Sequence, residues 1–450
     1  MEYQEFLEQK KQLSGNFGFE PIFMPDFLFD FQKYLVEWNL LKGRSGTFSD
    51  TGTGKTYMEL VWAQNIVQKT NKNVIIFAPI AVSQQTKKIA DGLGIEINRS
   101  RDGKPKGKIT ITNYEQIEKF DSNDYIGCIL DESSAIKNSI GKTKKLVVRF
   151  MAKMPYRSLW TATPSPNDYV ELGTSSEALG ELGHNDMLAK FFRDTSNDKN
   201  PQWSKSKYEL KQHAINDFWR WVSSWSRAMR KPSDFGFSDD NFILPELIEK
   251  DYVLEVTKPL PGQLFVRPAK TLNEQREERR ITLKERCEKV AELVQDYDIS
   301  VIWGHYNYET EYLSKIIPNA VEISGSDSFE SKEEKLIAFS DGQIKKLITK
   351  PRIGAWGLNW QHCNHSVFFP SHSYEQYYQA VRRFYRYGQK REVHIDMVTT
   401  EGELGVYKNY KRKVEQANNM FIKLVEHMNN ELQLENKINI NTQIKLPVWI

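Results

Sequence analysis

A chain of 450 residues is too long for one ordinary domain and predicts about three units, at least two of them with cores of their own. Lys and Arg number 62 against 59 Asp and Glu, a net charge of +3, which excludes a histone-like or tail-driven nucleic-acid binder and makes any basic surface local. With 39% hydrophobic residues the chain folds, and three scattered cysteines (Cys128, Cys287, Cys363) without a CxxC pair exclude disulfide frameworks and cysteine-rich zinc modules. A reducing cytoplasm fits this usage. The opening MEYQEFLEQKKQL carries charges where a signal peptide needs an apolar centre, and no run approaches the roughly 18 apolar residues of a membrane span.

From about residue 44 to 163, β-rich runs alternate with helical patterns. The runs are Gly46 to Ser49, Val74 to Ala78, Ile109 to Thr112, Tyr125 to Leu130 and Ser158 to Thr161. This rhythm predicts a parallel sheet wrapped by helices. Met58, Val61, Trp62 and Ile66 recur on one face of a helix beginning near Lys55, so Ser49 to Thr56 is a strand-to-helix loop. The stretch from 173 to 250 reads as a helical insertion with a Trp-dense segment, FWRWVSSW. A charged helix, TLNEQREERRITLKERCEKVAELV, leads into a second α/β rhythm with runs at Ile299 to Trp303, Ala320 to Ile323, Lys346 to Thr349, Ser366 to Phe369 and Val393 to Met397. From Glu415 onward a further helix and a β-like tail are expected. The units are therefore 1–172, 173–250, 251–414 and 415–450, an α/β architecture of two parallel-sheet domains in tandem.

SDTGTGKT, Ser49 to Thr56, has the residue types of a phosphate loop. Gly52, Thr53 and Gly54 let backbone N–H groups approach phosphate oxygens, Lys55 reaches the β/γ-phosphates, and the Thr56 hydroxyl suits Mg²⁺. The strict pattern has Gly where Ser49 stands. The apolar run Tyr125 to Leu130 ends in Asp131 and Glu132, one carboxylate for the Mg²⁺ shell and one to take a proton from an attacking water. QAVRRFYRYGQ carries Gln379, Arg383 and Arg386. If helical, the two arginines share a face and can meet the γ-phosphate, a contribution of roughly 10³ to 10⁵ in rate.

SDTGTGKT, FAPIAV, ITITNYE, DESSAIKN, TATP, LITKPRIGAWGLNW and QAVRRFYRYGQ together resemble, in order and placement, superfamily two helicase-type motors of the Swi/Snf-related branch, as found among phage-encoded DNA helicases. The resemblance implies two RecA-like lobes with ATP and Mg²⁺ in the cleft between them. It implies that Gln32 reads the adenine edge, that Thr161 and Thr163 couple hydrolysis to domain movement, and that Gly357 and Asn359 face ATP and nucleic acid. The sequence departs from the branch at Gly354-Ala355-Trp356 and in reading Asp-Glu-Ser-Ser for Asp-Glu-Ala-His.

In such motors nucleic acid is held through phosphates, which positions a strand without reading it. The loops that match carry Pro79, Ser83, Thr112, Asn113, Tyr114, His305, Thr349 and Lys350. Phe218, Trp221, Val222 and Trp225 form a helical stripe, read as core, with a strand-separating wedge as the alternative. His362, Cys363 and His365 lack the fourth ligand of a structural zinc site. The expected function is an ATP-dependent DNA helicase or translocase acting on duplex or single-stranded DNA. It is expected to be monomeric, possible partners are replication or recombination proteins, and a phage origin would place it in the host cytoplasm. An RNA helicase and an ATP-gated DNA clamp with negligible turnover are the alternatives.

Overall fold

Short runs rich in Val, Ile, Thr and aromatic residues become parallel strands here because most are buried on both faces and most are joined to the next through a helix. The computed structural model describes residues 15–79, 82–196, 207–256, 269, 271–354, 359–371 and 373–443. In the first unit these strands are β1 (Arg44–Ser49), β2 (Asn73–Phe77), β3 (Ile97–Arg99), β4 (Ile109–Thr112), β5 (Tyr125–Asp131) and β6 (Tyr156–Thr161). β7 (Phe192–Asp194) and β8 (Tyr208–Leu210) form a separate antiparallel hairpin, and β9 (Ser226–Met229) adds a seventh strand to the sheet. The sheet order is β3-β4-β2-β5-β6-β1-β9, parallel throughout.

The second unit carries β10 (Leu247–Leu254), β11 (Ser300–Trp303), β12 (Ala320–Glu322), β13 (Lys346–Thr349), β14 (His365–Phe368) and β15 (Val393–Thr400). Their order is β10-β15-β14-β11-β13-β12, again all parallel. Two parallel-sheet α/β units in tandem are thus present. The compact units are the described residues up to Asp239 with those from Gln416, and Asp240–Glu415.

The 173–250 stretch holds the helices Leu172–Leu179, His184–Phe191 and Ile215–Trp225, and it also supplies β9 to the first sheet and β10 to the second. It is woven into both units. The Trp stripe lies on the helix Ile215–Trp225, where Phe218, Trp221, Val222 and Trp225 are all buried. Trp225 meets Phe48 of β1 edge to face at 6.0 Å, and Trp221 stacks on Phe191 at 5.4 Å. A wedge needs exposed rings, so the stripe is core, as the spacing favours, and the wedge alternative falls.

The charged segment breaks at Thr282 into the helices Leu272–Ile281 and Leu283–Leu293. Part of its charge is internal: Arg286 Nη1 lies 2.9 Å from Glu309 Oε1, both side chains fully buried, and Arg279 pairs with Glu403. Such pairs persist only when both partners are present. The last helix begins at Leu404, ahead of the expected Glu415, and runs to Gln443. Ala417, Met420, Phe421, Leu424 and Met428 recur along one stripe of it and are buried, so packing extends the helix beyond its polar texture. The expected β-like tail falls largely on 444–450, outside the described residues. No described helix is long and apolar enough to cross a membrane.

Candidate nucleotide site and nucleic-acid surface

β1 ends at Ser49 and the next helix begins at Lys55, so the glycine-rich loop is the strand-to-helix turn that the spacing predicts. Gly52 and Gly54 take φ of 85° and 86°, a left-handed backbone that side chains resist. The loop closes on itself. Thr53 Oγ1 donates to the Asp50 carbonyl at 2.8 Å, and Lys55 Nζ donates to the carbonyls of Ser49 at 2.8 Å and Asp50 at 3.0 Å. Thr56 stands half-buried in the first helical turn. Gln32 is buried against this loop: its Nε2 donates to the Thr53 carbonyl at 2.8 Å and its Oε1 accepts from the Phe29 N–H at 3.0 Å.

β5 delivers Asp131 and Glu132 to the same end of the sheet, with β6 between β5 and β1. Glu132 has φ 55°, an uncommon conformation for a residue with a side chain. Its Oε1 accepts from Ser134 Oγ at 2.9 Å and from the Thr161 hydroxyl, and Thr161 Oγ1 in turn accepts from the Thr163 N–H at 3.0 Å. The structure therefore brings Thr161 and Thr163 to Glu132 through one hydrogen-bonded chain. Asp131 is buried, and its Oδ2 has no hydrogen-bond partner among the described residues.

Burial lowers the pKa of Lys55, opposed by the negative charges of Glu132, Asp50, Asp131 and Glu59, in falling order. Burial and then Glu132 raise that of Asp131, with Lys55 opposing. Glu59 escaped the sequence reading. It lies one helical turn beyond Lys55, fully buried, and neither carboxylate oxygen has a partner among the described residues. Burial and then Asp131 hold its pKa well above the carboxylate range.

Below the unfolded value of about 4.3 both states are protonated, and as pH rises only the unfolded chain releases the proton freely, so stability falls towards the folded pKa. Glu59→Met, of similar volume, is expected to stabilise the chain by about 1–3 kcal/mol at pH 8 and by less at pH 4.5. Urea unfolding at the two pH values measures this, and an equal gain at both would show that the carboxyl is not held neutral.

In the second unit the helix Tyr374–Val381 ends before either arginine. Arg383 and Arg386 lie in the following turns, so they do not share a helix face as expected. The Arg383 N–H bonds the Ala380 carbonyl at 3.2 Å, and Gly388 takes φ 96°, which turns the chain back. Arg386 Nη1 donates to Asn359 Oδ1, and the Trp360 N–H donates to the Arg383 carbonyl at 2.8 Å. The Gln389 amide binds the carbonyls of Gln361, Cys363 and Phe384 at 2.9 to 3.1 Å. Asn359 and the arginine segment are thus brought together. Gln379 is buried within its helix, and Gly357 lies outside the described residues.

The expected nucleic-acid track is only partly on the surface. Thr112 is buried at the end of β4, and Tyr114 is buried with its hydroxyl donating to the Asp131 carbonyl at 2.8 Å, so it braces the acid loop instead of facing a strand. Thr349 is fully buried with its hydroxyl 3.3 Å from the Ile323 carbonyl. All three side chains are turned into the fold. Pro79, Asn113, His305 and Lys350 are half-buried, and the side chain of Ser83 lies outside the described residues. β11 and β13 are neighbours, which places His305 and Lys350 on one edge: the His305 N–H donates to Glu309 Oε2 at 2.8 Å, and Lys350 Nζ bonds the Asn307 side chain. His365 is committed to Ser300 Oγ at 2.9 Å and Asp396 at 3.0 Å, and no described group of three His, Cys, Asp or Glu side chains could hold a metal.

No family model matches the chain, and no curated protein matches it. Among solved structures, the Sulfolobus solfataricus SWI2/SNF2 ATPase core in complex with dsDNA is similar at 15% identity and a TM-score of 0.42, covering 91% of this chain and 99% of that one.

Proposed function

We propose that the chain is a nucleic-acid-stimulated ATPase whose hydrolysis drives movement along DNA. The observation that carries this reading is the convergence, at one end of the first sheet, of the Lys55 loop and the Glu132–Thr161–Thr163 chain. A half-buried lysine among carboxylates suits a polyphosphate arriving with its cation, and Glu132, held by two hydroxyls, suits activation of water.

The residues present fit Mg²⁺. Asp131 offers a buried oxygen without a partner among the described residues, and Thr56 offers a first-turn hydroxyl, both hard donors of the kind Mg²⁺ takes. When bound, the ion would neutralise phosphate charge. Asp131 and Thr56 would hold it, Gly52, Thr53, Gly54 and Lys55 would bind phosphate oxygens, and Thr161 would pass a change at Glu132 to Thr163. In the second unit, Arg383 and Arg386 would supply positive charge to the γ-phosphate, with Asn359 orienting Arg386. His305 and Lys350, with Pro79 and Asn113 of the first unit, would contact phosphates of the strand.

ATP hydrolysis measured alone and with duplex DNA, single-stranded DNA and RNA tests the reading. Stimulation of at least tenfold by a DNA is expected. Stimulation by RNA alone would make the chain an RNA motor, and flat turnover with all three would refute the motor.

A further inference from the structure

The nucleotide base poses a separate question, which rests on the reading above. Gln32 is the residue expected to read adenine, yet its amide is spent on the chain itself. A glutamine amide has two N–H donors and two acceptor sites. One donor is taken by the Thr53 carbonyl at 2.8 Å and one acceptor site by the Phe29 N–H at 3.0 Å, and the residue is only 5% exposed. The loop presses on it so closely that a Cβ on Gly54 would stand 2.3 Å from Gln32 Nε2. At that burial little of the amide is left at the surface, whereas reading adenine requires an adjacent donor and acceptor presented to the base edge.

What faces outward beside this loop is aromatic. Tyr57, two residues past Lys55, is 37% exposed, Phe27 is 49% exposed, and their rings meet edge to face at 6.2 Å. A Cβ on Gly54 would lie 3.7 Å from Tyr57, so this pair adjoins the phosphate-binding turn. Two large exposed rings next to a phosphate loop offer a platform for a base. Stacking tolerates every base because each has a π-face, and apolar contact discriminates far less than a hydrogen-bonded edge.

We propose that this site accepts purine and pyrimidine nucleoside triphosphates alike, holding them by the phosphates and by stacking on Tyr57 and Phe27, with Gln32 as a positioning residue for the Thr53 carbonyl. The test is steady-state hydrolysis of ATP, GTP, CTP and UTP by the full chain with saturating stimulating polymer. kcat/KM values within about tenfold of one another are expected. Tyr57→Ala is expected to raise KM about tenfold for all four, and Gln32→Ala to raise KM for all four by a common factor. Tyr57 is exposed, so the variant should fold, which circular dichroism checks. A preference for ATP of more than a hundredfold, or a Gln32→Ala loss confined to ATP, overturns this inference and leaves the ATPase reading standing. Hydrolysis of none of the four overturns both.

Discussion

Glu132→Gln is expected to lower the hydrolysis rate by about 10² to 10⁴ while nucleotide binding stays within a few-fold of the parent. The substitution is nearly isosteric, and the amide oxygen can still accept from Ser134 Oγ and Thr161 Oγ1, so the chain through Thr163 survives. What is removed is the capacity to take a proton. Single-turnover hydrolysis together with nucleotide affinity separates the two effects. Parental rates in the variant would mean that Glu132 only anchors the β6 end. A fall in both rate and affinity would point to collapse of the left-handed turn that Glu132 occupies.

Arg386→Ala is expected to cost about 10³ to 10⁵ in rate, the range associated with a guanidinium that meets charge developing on the transferred phosphoryl group. Arg386 is held by Asn359, and its segment is tied to the 359–363 segment through Gln389, so the guanidinium is oriented before any substrate arrives. Arg386→Lys keeps the charge but loses the planar fork and is expected to restore only a small part of the rate. Asn359→Ala leaves the charge and removes its orientation, and an intermediate loss is expected. Unchanged turnover in Arg386→Ala, with the protein folded, would reduce Arg386 to a brace for the Asn359 loop.

Much of the fold was legible because parallel strands buried on both faces read as short apolar runs. All ten runs singled out became strands, with ends shifted by no more than two residues, except β15, which runs on to Thr400. β9 and β10 were missed for a physical reason. SRAM and LIEKDYVL are edge strands, whose pairing is decided by β1 and β15, not by their own composition. The turn after Val381 was misread as helix because QAVRRFYRY has no helix breaker before Gly388, and the bonds from Trp360 to the Arg383 carbonyl and from Gln389 to the carbonyls of Gln361 and Cys363 help to hold the turn.

At the site, the loop Ser49 to Thr56 and the pair Asp131-Glu132 were visible because phosphate and metal chemistry demands those residue types in a fixed local order. Glu59 was not, since a carboxylate beside an apolar stripe reads as solvated. The helix Lys55–Thr70 buries seven other residues besides, so its burial reaches beyond the stripe that periodicity assigns to the core. The commitment of Gln32 to Thr53, the inward turn of Tyr114 and Thr349, and the meeting of Asn359 with Arg386 likewise depend on partners 17 to 27 positions away. Residue type and spacing alone determined which chemistry this chain can carry and which strands form. Tertiary packing decided which of those polar groups still face outward, because a hydrogen bond made inside the fold uses the same donor or acceptor that a ligand would need.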